Sequence, residues 1–123
     1  MIAATKTKRA VGYLRVSTVG QSGDNHNSLD TQLSRFEEYC LRLGLTPVTT
    51  FADISSGRKD DRQEYRRMID FVLSGNADVV VVQFLDRFGR NSREILQRIW
   101  ELENHGVTVA ATLTPWFSSS QMR

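Results

Sequence analysis

Residues 78–84 read DVVVVQF, and residues 85–91 continue LDRFGRN. Four consecutive valines do not alternate with polar residues, so this is not a strand with one face in water. Such a run fits a central parallel strand covered by helices on both sides. Parallel neighbours need long crossovers between them, and the flanking sequence has the material. Upstream, RAVGYLRV (9–16) carries Val11, Tyr13, Leu14 and Val16 and predicts a first strand. TPVTTFAD (46–53) predicts a second, and HGVTVAATL (105–113) a fourth.

Three helical patterns fill the gaps. Ser28 is placed to cap a helix from Leu29, with Leu33, Phe36, Cys40 and Leu43 at helical spacing and Gly44 as its stop. Asp60 or Asp61 opens a second, whose apolar face is Tyr65, Met68, Ile69 and Val72, ended by SGNA (74–77). Ser92 caps a third with Ile95, Ile99 and Leu102 facing inward, and Trp100 is expected to pack with it. Strands and helices therefore alternate. That order predicts a single three-layer α/β domain, with a mostly parallel central sheet, right-handed crossovers and helices on both faces. Residues 1–8 read as a flexible lead-in, 9–114 as the core and 115–123 as a tail.

Composition sets the outer limits. A chain of 123 residues, 40% hydrophobic and 24% charged, suits one domain with one core. No apolar run approaches the roughly 18 residues of a membrane span. The opening MIAATKTKRA has no apolar stretch behind its charge, unlike a secretory signal. Cys40 is the sole cysteine, which excludes an internal disulfide and predicts a buried structural thiol. A reducing, cytoplasmic compartment fits that usage. The net charge of +2 does not by itself announce a nucleic-acid partner. Of the 16 basic residues, however, 13 are arginine and 3 lysine. Two readings of that bias are open: a GC-rich coding sequence, or planar guanidinium forks used to grip phosphate or carboxylate.

Position narrows the choice. Ligands of open α/β sheets bind beyond the carboxyl ends of the strands. Strand one empties into Arg15 and Ser17, and strand two into Asp53, Ser55 and Ser56 with Arg58 and Arg62 just beyond. Strand three empties into Asp86, Arg87 and Arg90. A dinucleotide site is excluded by the lack of G-x-G-x-x-G after strand one, and SGRKDDR (56–62) lacks the spacing of a nucleotide-cradling loop. His26 and His105 read as solvated or structural. No His/Cys/Asp group has metal-ligand spacing, so no metal and no cofactor is expected. A serine hydroxyl needs help to act as a nucleophile. Arginines give it when the electrophile is a phosphodiester, by holding the phosphate and stabilising its more negative transition state. Ser17 is then a candidate nucleophile toward DNA or RNA. The alternative is that Ser17 caps a turn and the arginines pair on the surface with Asp60, Asp61, Asp86 and Glu94. Spacing alone leaves both open.

At these residues the sequence resembles the catalytic domain of the serine recombinases, the family of resolvases, invertases and large integrases. YLRVST (13–18), SLDTQ (28–32), FADISSGRKDDR (51–62) and LDRFGRN (85–91) match its motifs in order. The resemblance implies that Ser17 attacks double-stranded DNA and forms a 5′-phosphoserine link. It implies that Arg15, Arg87 and Arg90 bind the scissile phosphate and support the departing 3′ oxygen, with Arg62 assisting. Asp86 would orient arginines or handle a proton, and Tyr13, Gln32, Asp53 and Ser56 would support the site. Rejoining would need neither ATP nor a metal. The loop between Ser17 and Leu29 is longer than in small resolvases and resembles that of large integrases. NHGVTVAATLTPWFSSS (104–120) also resembles an integrase segment, with Phe117 where an aspartate is expected. In the family a long helix follows, forming the dimer and tetramer interface and adding an arginine to the site, and a DNA-binding region comes after it. Without them, the 123-residue core is expected to be monomeric or weakly associating, with little strand cleavage alone. Its other possible roles are a non-catalytic regulator that binds DNA or a recombinase, and a small-molecule phosphoryl enzyme.

Overall fold

The computed structural model describes residues 7–17, 28–55, 62–83 and 91–113. The elements are β1 (Arg9–Ser17), α1 (Leu29–Leu43), β2 (Thr46–Ser55), α2 (Gln63–Leu73), β3 (Val79–Val82), α3 (Ser92–Asn104) and β4 (Thr108–Ala111). The four strands lie in the order β2-β1-β3-β4 and every pairing is parallel. The path runs from β1 outward to β2, then returns past β1 to β3. The order of strands therefore reverses between β1 and β3, the place where such sheets open a crevice.

Successive strand residues point to opposite faces, which sorts the core into two halves. Ala10, Val79, Val81 and Ala110 pack with Phe36 and Cys40 of α1. Val11, Tyr13, Phe51, Val80, Val82 and Val109 pack with Tyr65, Met68 and Val72 of α2 and with Ile99 and Leu102 of α3. All four β3 valines are buried, two on each side. That double burial is why 79–82 shows no alternation in sequence.

Helix α1 starts where Ser28 takes extended dihedrals and its side chain accepts from the Thr31 N–H at 3.2 Å. It stops at Gly44, which takes a positive φ of 71°, while Leu45 N–H returns to Cys40 O at 2.8 Å. Its buried face differs from the expected one. Gln32, Phe36 and Cys40 are buried, whereas Leu33 and Leu43 are exposed. The stripe is centred on the i, i+4, i+8 row because Phe36 lies directly on the Gly12 backbone of β1. A β-carbon added at Gly12 would meet Phe36 Cδ1 at 2.9 Å. Gly12→Ala is accordingly expected to cost about 1–3 kcal/mol of stability by urea denaturation, with Phe36→Leu in the same chain recovering part of it.

Four further boundaries and contacts depart from the sequence reading. Helix α2 begins at Gln63 with Arg62 at its cap position and no side-chain cap there; Asp60 and Asp61 lie outside the described residues. Helix α3 is capped by Asn91, not Ser92, through a 2.9 Å bond from the Glu94 N–H. Both residue types suit the position, and the asparagine comes one residue earlier. Trp100 does not pack; it is 66% exposed, turned away from the inward face made by Ile99 and Leu102. Strand β2 runs two residues beyond Asp53, while β3 and β4 are shorter than predicted, β4 because His105 and Gly106 form the turn before it. Cys40 is buried, as read from its place in the helix.

Candidate functional site

At the carboxyl edge of the sheet, Arg15 stands opposite Asp53 in the β1–β2 register, and Ser17 stands opposite Ser55. Asp53 is the hub. It is 6% exposed, and its carboxylate accepts three hydrogen bonds. The Tyr13 hydroxyl donates to Oδ2 at 2.7 Å, the Glu64 N–H to Oδ1 at 3.0 Å and the Tyr65 N–H to Oδ2 at 3.1 Å. The last two are orphan donors of the first turn of α2. A carboxylate from β2 thus caps a helix whose own cap residue, Arg62, makes no side-chain capping bond. Negative charge at that end also opposes the positive pole of the helix. One side chain therefore ties β1, β2 and α2 together.

That tie sets the place of Arg62. The residue is buried, its guanidinium carbon lies 4.6 Å from the Tyr65 ring centre, and Nη2 donates to Glu94 Oε1 at 3.5 Å. The Tyr65 ring meets Tyr13 edge to face at 5.3 Å. A second guanidinium, Arg98, lies 5.8 Å from the same ring centre and donates to Glu101 at 2.6 Å. Cation–π contact and ion pairing hold these long side chains to one arrangement.

Burial, and then the bond to Asp53, hold the Tyr13 phenol well above its ordinary range, against the opposing charges of Arg15 and Arg62. Burial also raises Tyr65, opposed by Arg98 and Arg62. A phenol that keeps its proton longer in the folded chain leaves stability intact below about pH 10, the unfolded value, and erodes it as the pH rises further. Tyr13→Phe is expected to lower stability by about 1–2 kcal/mol at pH 7. It should also flatten the alkaline decline, which urea denaturation above and below that pH will show.

A second clamp holds Arg15 from the other face. Gln32 Oε1 accepts from the Arg15 N–H at 3.1 Å, and Gln32 Nε2 donates to Arg15 O at 3.0 Å. Pairing of β1 with β3 ends at Gly12 opposite Val81. The glutamine amide does for Arg15 what a neighbouring strand would do, and this is why a polar side chain is buried on α1. Gln32→Met keeps the length and removes both bonds. It is expected to cost about 2–4 kcal/mol in thermal or urea unfolding, since two backbone groups lose their partners.

Six of the ten expected site residues are therefore placed: Tyr13, Arg15 and Ser17 on β1, Asp53 on β2, Gln32 on the first turn of α1 and Arg62 at the start of α2. Ser56, Asp86, Arg87 and Arg90 lie outside the described residues. The sequence reading missed Tyr65 as a platform for arginines and took it only as core. Its signal was its place one helical turn after Arg62. Of the surface pairs in the alternative reading, Arg62 makes the one with Glu94, but from a buried position. Chemically, Asp53 has its oxygens committed to three donors and serves to orient. Among the described residues, no group of His, Cys, Asp and Glu could hold a metal ion. No described helix is long and apolar enough to cross a membrane.

Comparison with known proteins agrees with the fold. Residues 10–118 match the family described as "Resolvase, N terminal domain". The chain is 37% identical over 99 residues to the transposon Tn552 DNA-invertase BinR of Staphylococcus aureus, covering 80% of this chain and 44% of that protein. It is 35% identical over 101 residues to the transposon Tn3 resolvase of Escherichia coli, covering 82% and 48%. The chain thus spans about half the length of the curated relatives it matches. Among solved structures, the N-terminal catalytic domain of TP901-1 integrase superposes with a TM-score of 0.74 at 28% identity, covering 92% of this chain and 82% of that one. A resolvase family site-specific recombinase from Streptococcus pneumoniae gives 0.79 at 26% identity, covering 94% and 78%.

Proposed function

This chain belongs to the resolvase N-terminal domain family, and from that premise we propose that it is the catalytic domain of a site-specific DNA recombinase that cuts and rejoins DNA through Ser17. The Ser17 oxygen attacks a backbone phosphorus and loses its proton. The bond from phosphorus to the 3′ oxygen breaks, and that oxygen leaves as a hydroxyl. A 5′-phosphoserine link remains. Attack by the 3′ hydroxyl of a partner strand reverses the step, so the phosphodiester is conserved without ATP. Arg15, Arg87 and Arg90 grip the phosphate, and Arg62 adds positive charge as the transition state gathers negative charge. Asp86 orients the arginines or handles a proton, and Ser56 supports the site.

The observation that carries this reading is the Asp53 hub. It fixes the end of β1, where Arg15 and Ser17 lie, against the start of α2, where Arg62 lies. A surface ion-pair set has no need of such a buried brace. The relatives are about twice as long as this chain, so strand exchange is assigned to a dimer or tetramer of a longer protein, and this core alone is monomeric or weakly associating with little cleavage. The test is the polarity of the cut. DNA trapped with a recombinase built on this domain should carry protein on its 5′ ends and present 3′ hydroxyls that terminal transferase extends. Protein on the 3′ ends would contradict the reading.

A further inference from the structure

The alternation that sorts the valines of β3 also places the residues after them. Val79 and Val81 face α1, so Gln83 continues their row; on β4, Ala110 faces α1 and Thr112 continues that row. The β3–β4 ladder runs on past its last strand pair. The Thr112 N–H donates to Val82 O at 2.8 Å, and the Leu113 N–H to Gln83 O at 3.0 Å. Gln83 and Thr112 therefore stand side by side, next in register after Val82 and Ala111. Gln83 is 5% exposed, yet among the described residues neither atom of its side-chain amide has a hydrogen-bond partner, and neither does the Thr112 hydroxyl. Both residues line a small cavity whose other walls include Leu14, Gln32 and Phe36. It lies between β1 and β3, beneath the Gln32 clamp on Arg15, where the strand order reverses.

Three buried polar atoms without a partner among the described residues are costly unless something completes their bonds. The room for the centre of a water molecule is about 10 Å³, about that of one water and far below that of a phosphate or a base. We propose that this crevice is a hydration site holding one buried water, bonded to the Gln83 amide and to the Thr112 hydroxyl. Water both donates and accepts, so a single molecule serves the amide N–H, the amide oxygen and the hydroxyl. It joins the exits of β3 and β4 beneath the clamp on Arg15. The site is independent of the recombination chemistry, since neither residue has a part in the proposed reaction.

Two measurements on the 123-residue chain decide it. A crystal structure that shows ordered water should contain one isolated density peak within hydrogen-bonding distance of both the Gln83 amide and Thr112 Oγ1. An empty cavity, or a direct Gln83–Thr112 bond, would overturn the proposal. In solution, the Gln83 side-chain amide should give cross-peaks to water of opposite sign in NOE and ROE spectra, the signature of a resident molecule. Absent cross-peaks, or peaks of the same sign from proton exchange alone, would equally overturn it. The NMR result stands whether or not the chain crystallises.

Discussion

Ser17→Ala is expected to abolish covalent protein–DNA adducts in a recombinase built on this domain, a loss on the order of 10³-fold or more, as for removal of a nucleophile elsewhere. DNA affinity should change little, because phosphate gripping is assigned to Arg15, Arg87 and Arg90 and not to the serine. The two readouts belong together. Adducts quantified after denaturation report the chemistry, and gel-shift titration at fixed salt reports binding. Loss of both would point to a folding defect. Persistence of adducts in the variant would assign the nucleophile elsewhere. The backbone position of Ser17 makes the experiment clean: it is the last residue of β1, paired opposite Ser55 at the edge of the sheet, where a change of one oxygen leaves both halves of the core intact.

Asp53→Ala is expected to be the most destabilising single change at the site, costing about 3–5 kcal/mol. One buried carboxylate accepts from the Tyr13 hydroxyl and from two backbone N–H groups of α2. Its removal strands all three donors, each worth roughly 1–3 kcal/mol when bonded to a charged acceptor and not fully additive. Against a total stability of about 5–15 kcal/mol, such a loss brings the chain close to unfolding at ambient temperature. Asp53→Asn keeps one carbonyl oxygen but no charge and should fall between the two. Urea denaturation followed by circular dichroism measures it. A loss below about 1 kcal/mol for the alanine variant would mean that α2 is held by its apolar face alone. The same reasoning predicts that activity falls with Asp53→Asn even where the protein stays folded, since the first turn of α2 carries Arg62.

The pattern of apolar residues made most of this architecture legible. The valines at 79–82 announced a doubly covered strand, and the alternation of β-like and helical stretches announced the layers. The face of α2, with Tyr65, Met68, Ile69 and Val72, was read correctly because every member is apolar. The face of α1 was not, because its uppermost member is Gln32, whose burial is explained only by the Arg15 backbone it clamps. Periodicity marks apolar faces and cannot see a polar side chain that substitutes for a missing strand. The cap of α2 escaped for a related reason: the capping carboxylate comes from Asp53, ten residues before Gln63 and on another element. Trp100 shows the opposite error, a large aromatic residue taken as packed that lies on the outer side of its helix. At the site, the motifs named Tyr13 and Asp53 as supporting residues. The hydrogen bond that joins them is a tertiary fact, whereas the contact of Arg62 with Tyr65 is local, one helical turn apart, and was missed.

The central claim is that Ser17 bears the covalent bond to DNA. The most direct measurement is to trap the adduct, digest the DNA to a nucleotide remnant and the protein to peptides, and locate the remnant by fragmentation mass spectrometry. Cleavage after Arg15 and Arg35 yields a peptide that begins Val16-Ser17-Thr18 and also contains Ser22, Ser28, Thr31 and Ser34. The predicted result is a phosphonucleotide mass on Ser17 and on none of those other hydroxyls. The same mass on a different residue, or on no peptide of this domain, would contradict the assignment of Ser17.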